Sequence, residues 1–326
     1  MVSSQVPLGS PFGYRSTARE VAAAAQIAGK HALVTGGYSG IGTETVAALA
    51  QGGASVIVGA RRPDQASEVL SAIDGDITAI ELDLSDPTSI DAFCAKVAQR
   101  WDRIDILINN AAVMANPLTR DSRGFESQFA TNHLGHFQLT ARLWPLLIAA
   151  GLAASGARVV ALSSIGHRLH GLDLEDLHWD RREYDKWTAY GAAKSANALF
   201  ALHLDQLGEP QGVRAFSVHP GGIATPLQRH LTMEEQTAMG WYDADGNLHE
   251  RFKTPPEGAA TTLWAATSPL LDGHGGVYCE DCDIAAPFRE ESPASGVHPH
   301  VLDRDLAAAL WVKSQELTGI HFTGAS

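Results

Sequence analysis

The sequence predicts an α/β fold, a doubly wound parallel sheet within one domain, and three observations carry that prediction. Apolar runs of strand length recur from residue 31 onward, helix-length segments separate them, and a glycine-rich turn follows the first run. The runs fall at residues 32–34, 56–58, 77–82, 104–108, 158–162 and 215–218. Continuous apolar runs suit strands covered on both faces, and helices between them imply right-handed crossovers.

Each region has its own justification. Residues 1–28 form an arm, with Gly9, Pro7, Pro11 and Gly13 ahead of a short helix opened by the capping-box spacing of Thr17 and Glu20. Residues 29–286 hold the sheet, and within them the regularity weakens at about 226–256, where a lid over a substrate would insert. A helix-like run follows at 257–267. Residues 287–326 are a C-terminal extension: a Pro-, Ser- and Glu-rich loop at 287–299, then a last helix near 303–316.

Composition narrows the function. The chain of 326 residues is 45% hydrophobic and 19% charged, enough for the core of one large domain. Its net charge of −13 leaves Arg61-Arg62 as one of the few basic clusters, which argues against nucleic acid and anionic lipid as partners. Cys94, Cys279 and Cys282 cannot form a disulfide framework, and residues 1–15 lack the order of a secretion signal, so a cytoplasmic location is expected. The apolar stretch 143–162 is broken by Pro145, Gly151, Gly156 and Arg158, so no membrane span is expected there.

Thr35-Gly36-Gly37-Tyr38-Ser39-Gly40-Ile41-Gly42 joins the first strand to a helix pattern at 41–51. Glycines at such a junction let the backbone approach a pyrophosphate seated on a helix N-terminus, the device of a Rossmann-type dinucleotide site. The spacing Gly36, Gly40, Gly42 differs from the commoner GxGxxG order. About twenty residues on, where an acid would hold the ribose of NAD, stand Arg61 and Arg62. Guanidinium groups there suit a 2′-phosphate, so NADP is favoured and NAD is the second choice.

Tyr190 and Lys194 lie four apart on a helix pattern running to residue 202, hence on one face. A phenol with a reference pKa near about 10 needs a neighbouring cation to act as an acid-base group at neutral pH. Lys194 offers that cation. Ser163 and Ser164 end the fifth strand at its carboxyl edge, where open parallel sheets bind ligands.

With these residues in view, the chain resembles the short-chain dehydrogenase/reductase superfamily over roughly residues 29–226. The resemblance rests on the 35–42 turn, Asp83-Leu84, Asn109-Asn110-Ala111-Ala112, Asn132, Ser164, the Tyr190/Lys194 pair and Pro220-Gly221. Thr131-Asn132-His133-Leu134-Gly135-His136-Phe137, Arg61-Arg62 and the long stretch from Ser164 to Tyr190 look like its retinol dehydrogenase-like and protochlorophyllide reductase-like branch. The resemblance implies hydride transfer between NADP(H) and a carbonyl or alcohol carbon, with Tyr190 as general acid/base and Lys194 tuning it and binding the nicotinamide ribose. Ser164 would hold the substrate oxygen, Asn132 would support a water relay, and Ser163 would pack. Gly36, Tyr38, Ser39, Gly40, Ile41 and Gly42 would cradle the cofactor. Asp83 and Leu84 would flank adenine, Asn110, Ala111 and Ala112 would line the cofactor, and Pro220, Gly221, Ile223 and Thr225 would meet the carboxamide. Relatives assemble into dimers and tetramers, which leaves a homo-oligomer open. Some NADP-dependent relatives carry a basic residue where this chain has Ser39, so the NADP preference rests on Arg61 and Arg62.

The insertion at 173–179 is expected to border the substrate. Leu231, Met233, Met239, Trp241 and Tyr242 read either as an apolar wall over the nicotinamide, favouring a small hydrophobic substrate, or as ordinary lid packing. No metal is expected: Cys279-Glu280-Asp281-Cys282 has no second pair and is flanked by acids, and His133 and His136 read as packing residues. His167, His170 and His178 lie in the inserted stretch between Ser164 and Tyr190 and read as solvated loop residues, with a substrate contact as the alternative. Two alternatives remain: a dinucleotide-sensing regulator that has lost chemistry, disfavoured by the intact Ser164, Tyr190, Lys194 and Asn132, and a sugar-nucleotide epimerase or dehydratase, disfavoured by the glycine spacing.

Overall fold

The computed structural model describes residues 4–153, 156–291 and 295–322. Elements follow in the order α1 (Ala18–Ala23), β1 (His31–Thr35), α2 (Ile41–Gln51), β2 (Ser55–Ala60), α3 (Pro63–Leu70), β3 (Asp76–Glu81), α4 (Pro87–Arg100) and β4 (Ile106–Asn109). Then come α5 (Ser127–Phe129), a π-helical turn (Ala130–Leu134), α6 (Gly135–Gly151), β5 (Ala157–Leu162), α7 (Lys186–Gly208) and β6 (Val213–His219). The chain finishes with α8 (Met233–Ala238), α9 (Pro255–Thr267), β7 (Val277–Glu280), β8 (Asp283–Ile284) and α10 (Arg304–Thr318).

The strands form one eight-stranded sheet in the order β3-β2-β1-β4-β5-β6-β7-β8. Pairing is parallel through β7, and β8 folds back antiparallel. Strand order reverses between β1 and β4, the switch point where open α/β sheets bind ligands. Apolar side chains alternate into two cores. Val34, Val58 and Ile108 pack toward α2 and α9 on one face, while Leu33, Ile57 and Leu107 pack toward α4, α6 and α7 on the other. That two-sided burial is why these runs carry no polar alternation.

Several boundaries shift from the sequence expectation. β4 begins two residues after Ile104, although Asp105 N–H already donates to the His31 carbonyl of β1 at 3.0 Å. α7 begins at Lys186 rather than Tyr190, with the Asp185 carboxylate accepting from Thr188 N–H as its cap. β7 and β8 were not anticipated: a four-residue and a two-residue strand carry too little pattern to read. Among the described residues no helix is long and apolar enough to cross a membrane.

The arm lies along the sheet edge made by that late hairpin. The Gln5 amide donates to the Tyr278 and Ala285 carbonyls at 2.7 Å each and accepts from Tyr278 N–H at 3.0 Å. Asp283 accepts from the backbone amides of Leu8, Gly9 and Ser10. The expected capping box at Thr17 and Glu20 is present. Met1 to Ser3 of the arm and 292–294 of the expected tail loop lie outside the described residues.

Candidate active site

A cavity of about 1350 Å³ opens at the carboxyl edge of the sheet, over the switch point. Its lining contains nearly all of the sequence-predicted residues: Gly36, Tyr38, Ser39, Gly40 and Ile41 from the first turn, Arg61 and Arg62 after β2, and Asp83 and Leu84 after β3. Asn110, Ala111 and Ala112 after β4, Ser164 after β5, Tyr190 and Lys194 on α7, and Pro220, Gly221, Ile223 and Thr225 after β6 complete it. Parallel strands all deliver their C-terminal loops to one edge, which is how residues so far apart in sequence meet.

The glycine turn is shaped by sterics. Gly36 and Gly40 sit at φ of +64° and +55°. Gly42 does not line the cavity; its role is close approach, since a Cβ there would lie 2.5 Å from the Gly36 carbonyl oxygen. The Asn110 amide braces the turn by donating to the Thr35 carbonyl at 2.8 Å, and the Thr35 hydroxyl accepts from Asn110 and Ala111 N–H. No side chain caps the N-terminus of α2; Gly42 N–H there donates to the Ser39 carbonyl at 3.1 Å, and the other uncapped first-turn amides can face an anion. Arg61 and Arg62 are exposed and have no acidic partner among the described residues. A cradle too tight for a Cβ at the N-terminus of a helix fits the pyrophosphate of a dinucleotide.

At the other end, Tyr190 and Lys194 are 5% and 3% exposed. Lys194 Nζ donates to the Leu162 carbonyl at 2.9 Å and lies 5.6 Å from the Tyr190 ring centroid. Burial pushes the Tyr190 phenol up to about 12, with the nearby Ser164 hydroxyl pulling it back, and burial pushes Lys194 down to about 7. Desolvation therefore dominates at Tyr190, and the Lys194 ammonium, expected from the sequence to lower it, is turned to the Leu162 carbonyl. Burial thus favours the protonated phenol at Tyr190. Gly166 permits this placement, because a Cβ there would come within 3.0 Å of the Tyr190 ring. Ser163, as expected, braces instead: its hydroxyl donates to the Lys194 carbonyl at 2.8 Å.

Asn132 is fully buried and absent from the cavity wall. Its side chain clasps the Val113 peptide, accepting from Val113 N–H and donating to Val113 O at 2.9 Å each. Only its main chain could serve a relay. The carbonyl of Asn132 is met by His136 Nδ1 at 3.0 Å, so His136 packs with a specific partner.

The structure corrects two expectations about the substrate end. No residue of 173–179 lines the cavity; Leu177 packs with Phe129 and Leu134, and His178 stacks on Phe125 with centroids 4.4 Å apart. Ile165 and Leu169, just after β5, take that place instead. Of the lid residues, Met239 and Trp241 line the cavity and Leu231 is buried with Met114 and Tyr190, whereas Met233 is 57% exposed and Tyr242 is not part of the wall. Met114, Trp187 and Phe252 also line it and carried no signal in the sequence, since single apolar residues in loops have no period. The three thiols are buried and free, and burial pushes Cys94 and Cys282 up to about 12 and about 11.

A model of the short chain dehydrogenase family matches residues 30–236. The chain belongs to the short-chain dehydrogenase family. This family member is 42% identical over 295 residues to a Streptomyces antibioticus protein named "Probable oxidoreductase", covering 87% of this chain and 96% of that one. It is 34% identical over 307 residues to mouse (Mus musculus) retinol dehydrogenase 13, covering 93% and 87%, in keeping with the retinol dehydrogenase-like branch. Among solved structures, an uncharacterised protein from Mycobacterium Paratuberculosis superposes with a TM-score of 0.71 at 32% identity, over 92% of this chain and 98% of that one. The RhlG/NADP active-site complex of Pseudomonas aeruginosa gives 0.61 at 25% identity, over 78% and 94%. The protein is accordingly an oxidoreductase of this family.

Proposed function

We propose that this short-chain dehydrogenase passes a hydride between NADP(H) and the carbonyl or alcohol carbon of a small hydrophobic substrate. The observation that carries the reading is a single cavity with unpaired Arg61 and Arg62 at one end and Ser164, Tyr190 and Lys194 at the other. The dinucleotide, when bound, supplies or accepts the hydride. Arg61 and Arg62 hold its 2′-phosphate, and the 36–42 turn holds its pyrophosphate on α2. In reduction Tyr190 donates its proton to the carbonyl oxygen, and in oxidation the phenolate takes it back. Ser164 orients that oxygen by hydrogen bonding. Lys194, beside the Tyr190 ring, tunes that phenol and binds the nicotinamide ribose in this reading.

Residues 226–256 act as the substrate lid in this reading. Met114, Leu231, Met239, Trp187 and Trp241 gather over Tyr190, an environment that excludes water and favours an apolar aldehyde, ketone or alcohol. The test is absorbance loss of NADPH or NADH with a panel of hydrophobic aldehydes and ketones, in wild type and Tyr190→Phe. Turnover with NADPH that disappears in the variant is expected. Dinucleotide binding with no turnover on any substrate would point to the sensing regulator instead.

A further inference from the structure

The peptide group that follows Ser164 is gripped at both ends by histidines. Its carbonyl, the Ser164 oxygen, lies 2.7 Å from His167 Nδ1 and 3.1 Å from the donating Tyr278 hydroxyl. Its N–H, that of Ile165, donates to His219 Nδ1 at 3.1 Å. The chemistry of the partners fixes both rings. His167 Nε2 accepts from His298 N–H at 3.1 Å, and an amide can only donate, so the His167 proton sits on Nδ1 and points at the Ser164 carbonyl. His219 Nδ1 must accept from Ile165, so the His219 proton sits on Nε2. Both rings are buried. A second proton on either would remove an acceptor that a backbone amide needs.

We propose that His167 and His219 are positioning residues, held neutral in opposite tautomers, which lock the Ser164–Ile165 peptide and so aim the Ser164 hydroxyl at the reacting oxygen. Ser164 is held extended, at φ −168° and ψ 159°, and Ser164 Oγ accepts from Gly166 N–H at 3.0 Å. Rotation of the clamped peptide would carry that hydroxyl off target. His219 Nδ1 also lies 3.4 Å from Gly221 N, which ties the Pro220-Gly221 loop to the same clamp. Burial pushes both histidines down to about 3, so the clamp does not titrate in the working range. The assignment rests on the oxidoreductase reading only for its kinetic consequence.

Two measurements test it. Nitrogen-15 spectra of histidine-labelled protein, assigned through His167→Asn and His219→Asn, should show the Nδ1–H form for His167, the Nε2–H form for His219, and no titration of either between about pH 5 and 8. Any other tautomer, or titration in that range, overturns the clamp. In kinetics, His167→Asn keeps a donor and His219→Asn keeps an acceptor near the Nδ1 position, and each should retain kcat within about threefold. The corresponding Leu variants should lose about 10- to 100-fold in kcat with KM for NADPH nearly unchanged. Folded Leu variants that turn over like wild type, or Asn variants as impaired as Leu, overturn the proposal. If the Leu variants do not fold, the tautomers alone decide it, and they decide it equally if wild type shows no turnover.

Discussion

The Lys253 ammonium lies 2.6 Å from an Asp281 carboxylate oxygen, joining the base of the lid region to the turn between β7 and β8. Asp281 and Cys282 form that turn at φ of +49° and +60°, the left-handed pair required by a tight two-residue hairpin. The Lys253 side chain is 1% exposed and Asp281 40%. Asp281→Asn keeps a residue that tolerates this backbone but removes the charge opposite a buried cation. Stability should fall by about 1–2 kcal/mol after allowance for solvent at Asp281. Urea unfolding measures it; an unchanged midpoint would mean the pair is idle.

Gly42→Ala should disable the cradle. The new Cβ would meet the Gly36 carbonyl oxygen at 2.5 Å, which is backbone, and the Asn110 side-chain amide at 2.8 Å, which is held by its hydrogen bonds to the Thr35 and Gly36 carbonyls. Affinity for NADPH, followed by tryptophan fluorescence, should drop at least about tenfold, with stability lower by about 1–3 kcal/mol. Native affinity in the variant would show that the turn adapts.

Arg61→Ala and Arg62→Ala separate the two dinucleotides. A lost charge-assisted hydrogen bond corresponds to about 10- to 100-fold in affinity, so KM for NADPH should rise by that order while KM for NADH changes less than about twofold. Equal losses for both cofactors would assign the arginines to general electrostatics.

The Lys194 shift has a stability consequence whose sign is set by proton counting. Burial lowers Lys194 from 10.5 to about 7, so between those values the unfolded chain binds more protons than the folded one. From this group, stability rises with pH across that window, by up to about 1.4 kcal/mol per unit, and is lost as pH falls toward 7. Lys194→Met should flatten the slope of unfolding free energy between about pH 7 and 9 relative to wild type. Parallel slopes would place the ammonium in contact with water.

The Rossmann-type core was legible because its signals are local. Strand β1, the Gly36 to Gly42 turn and α2 follow one another within a few turns of chain, and α2 spans the residues read from the sequence. Ser164, Tyr190 and Lys194 were legible because each sits at a strand end or on one helix face. The placement of 173–179 was misread for the opposite reason: distance along the chain from Tyr190 says nothing about which neighbours a loop finds, and Leu177 found Phe129 rather than the cavity. The Cys279-Glu280-Asp281-Cys282 segment, read from the sequence as no metal site, folds into the hairpin whose Asp281 and Asp283 hold Lys253 and the arm, a placement no local pattern announces.

By itself the sequence determined the parallel α/β order, the glycine cradle, the arginine pair and the Tyr190/Lys194 spacing, since periodicity and sterics act over a few residues. Tertiary structure alone decided that Gln5 pairs with Tyr278, that Asn132 clasps Val113 rather than facing the cavity, and that His167 and His219 grip one peptide group. Those contacts join residues far apart in the chain, and a buried polar group takes whichever partner the packed sheet places within about 3 Å of it.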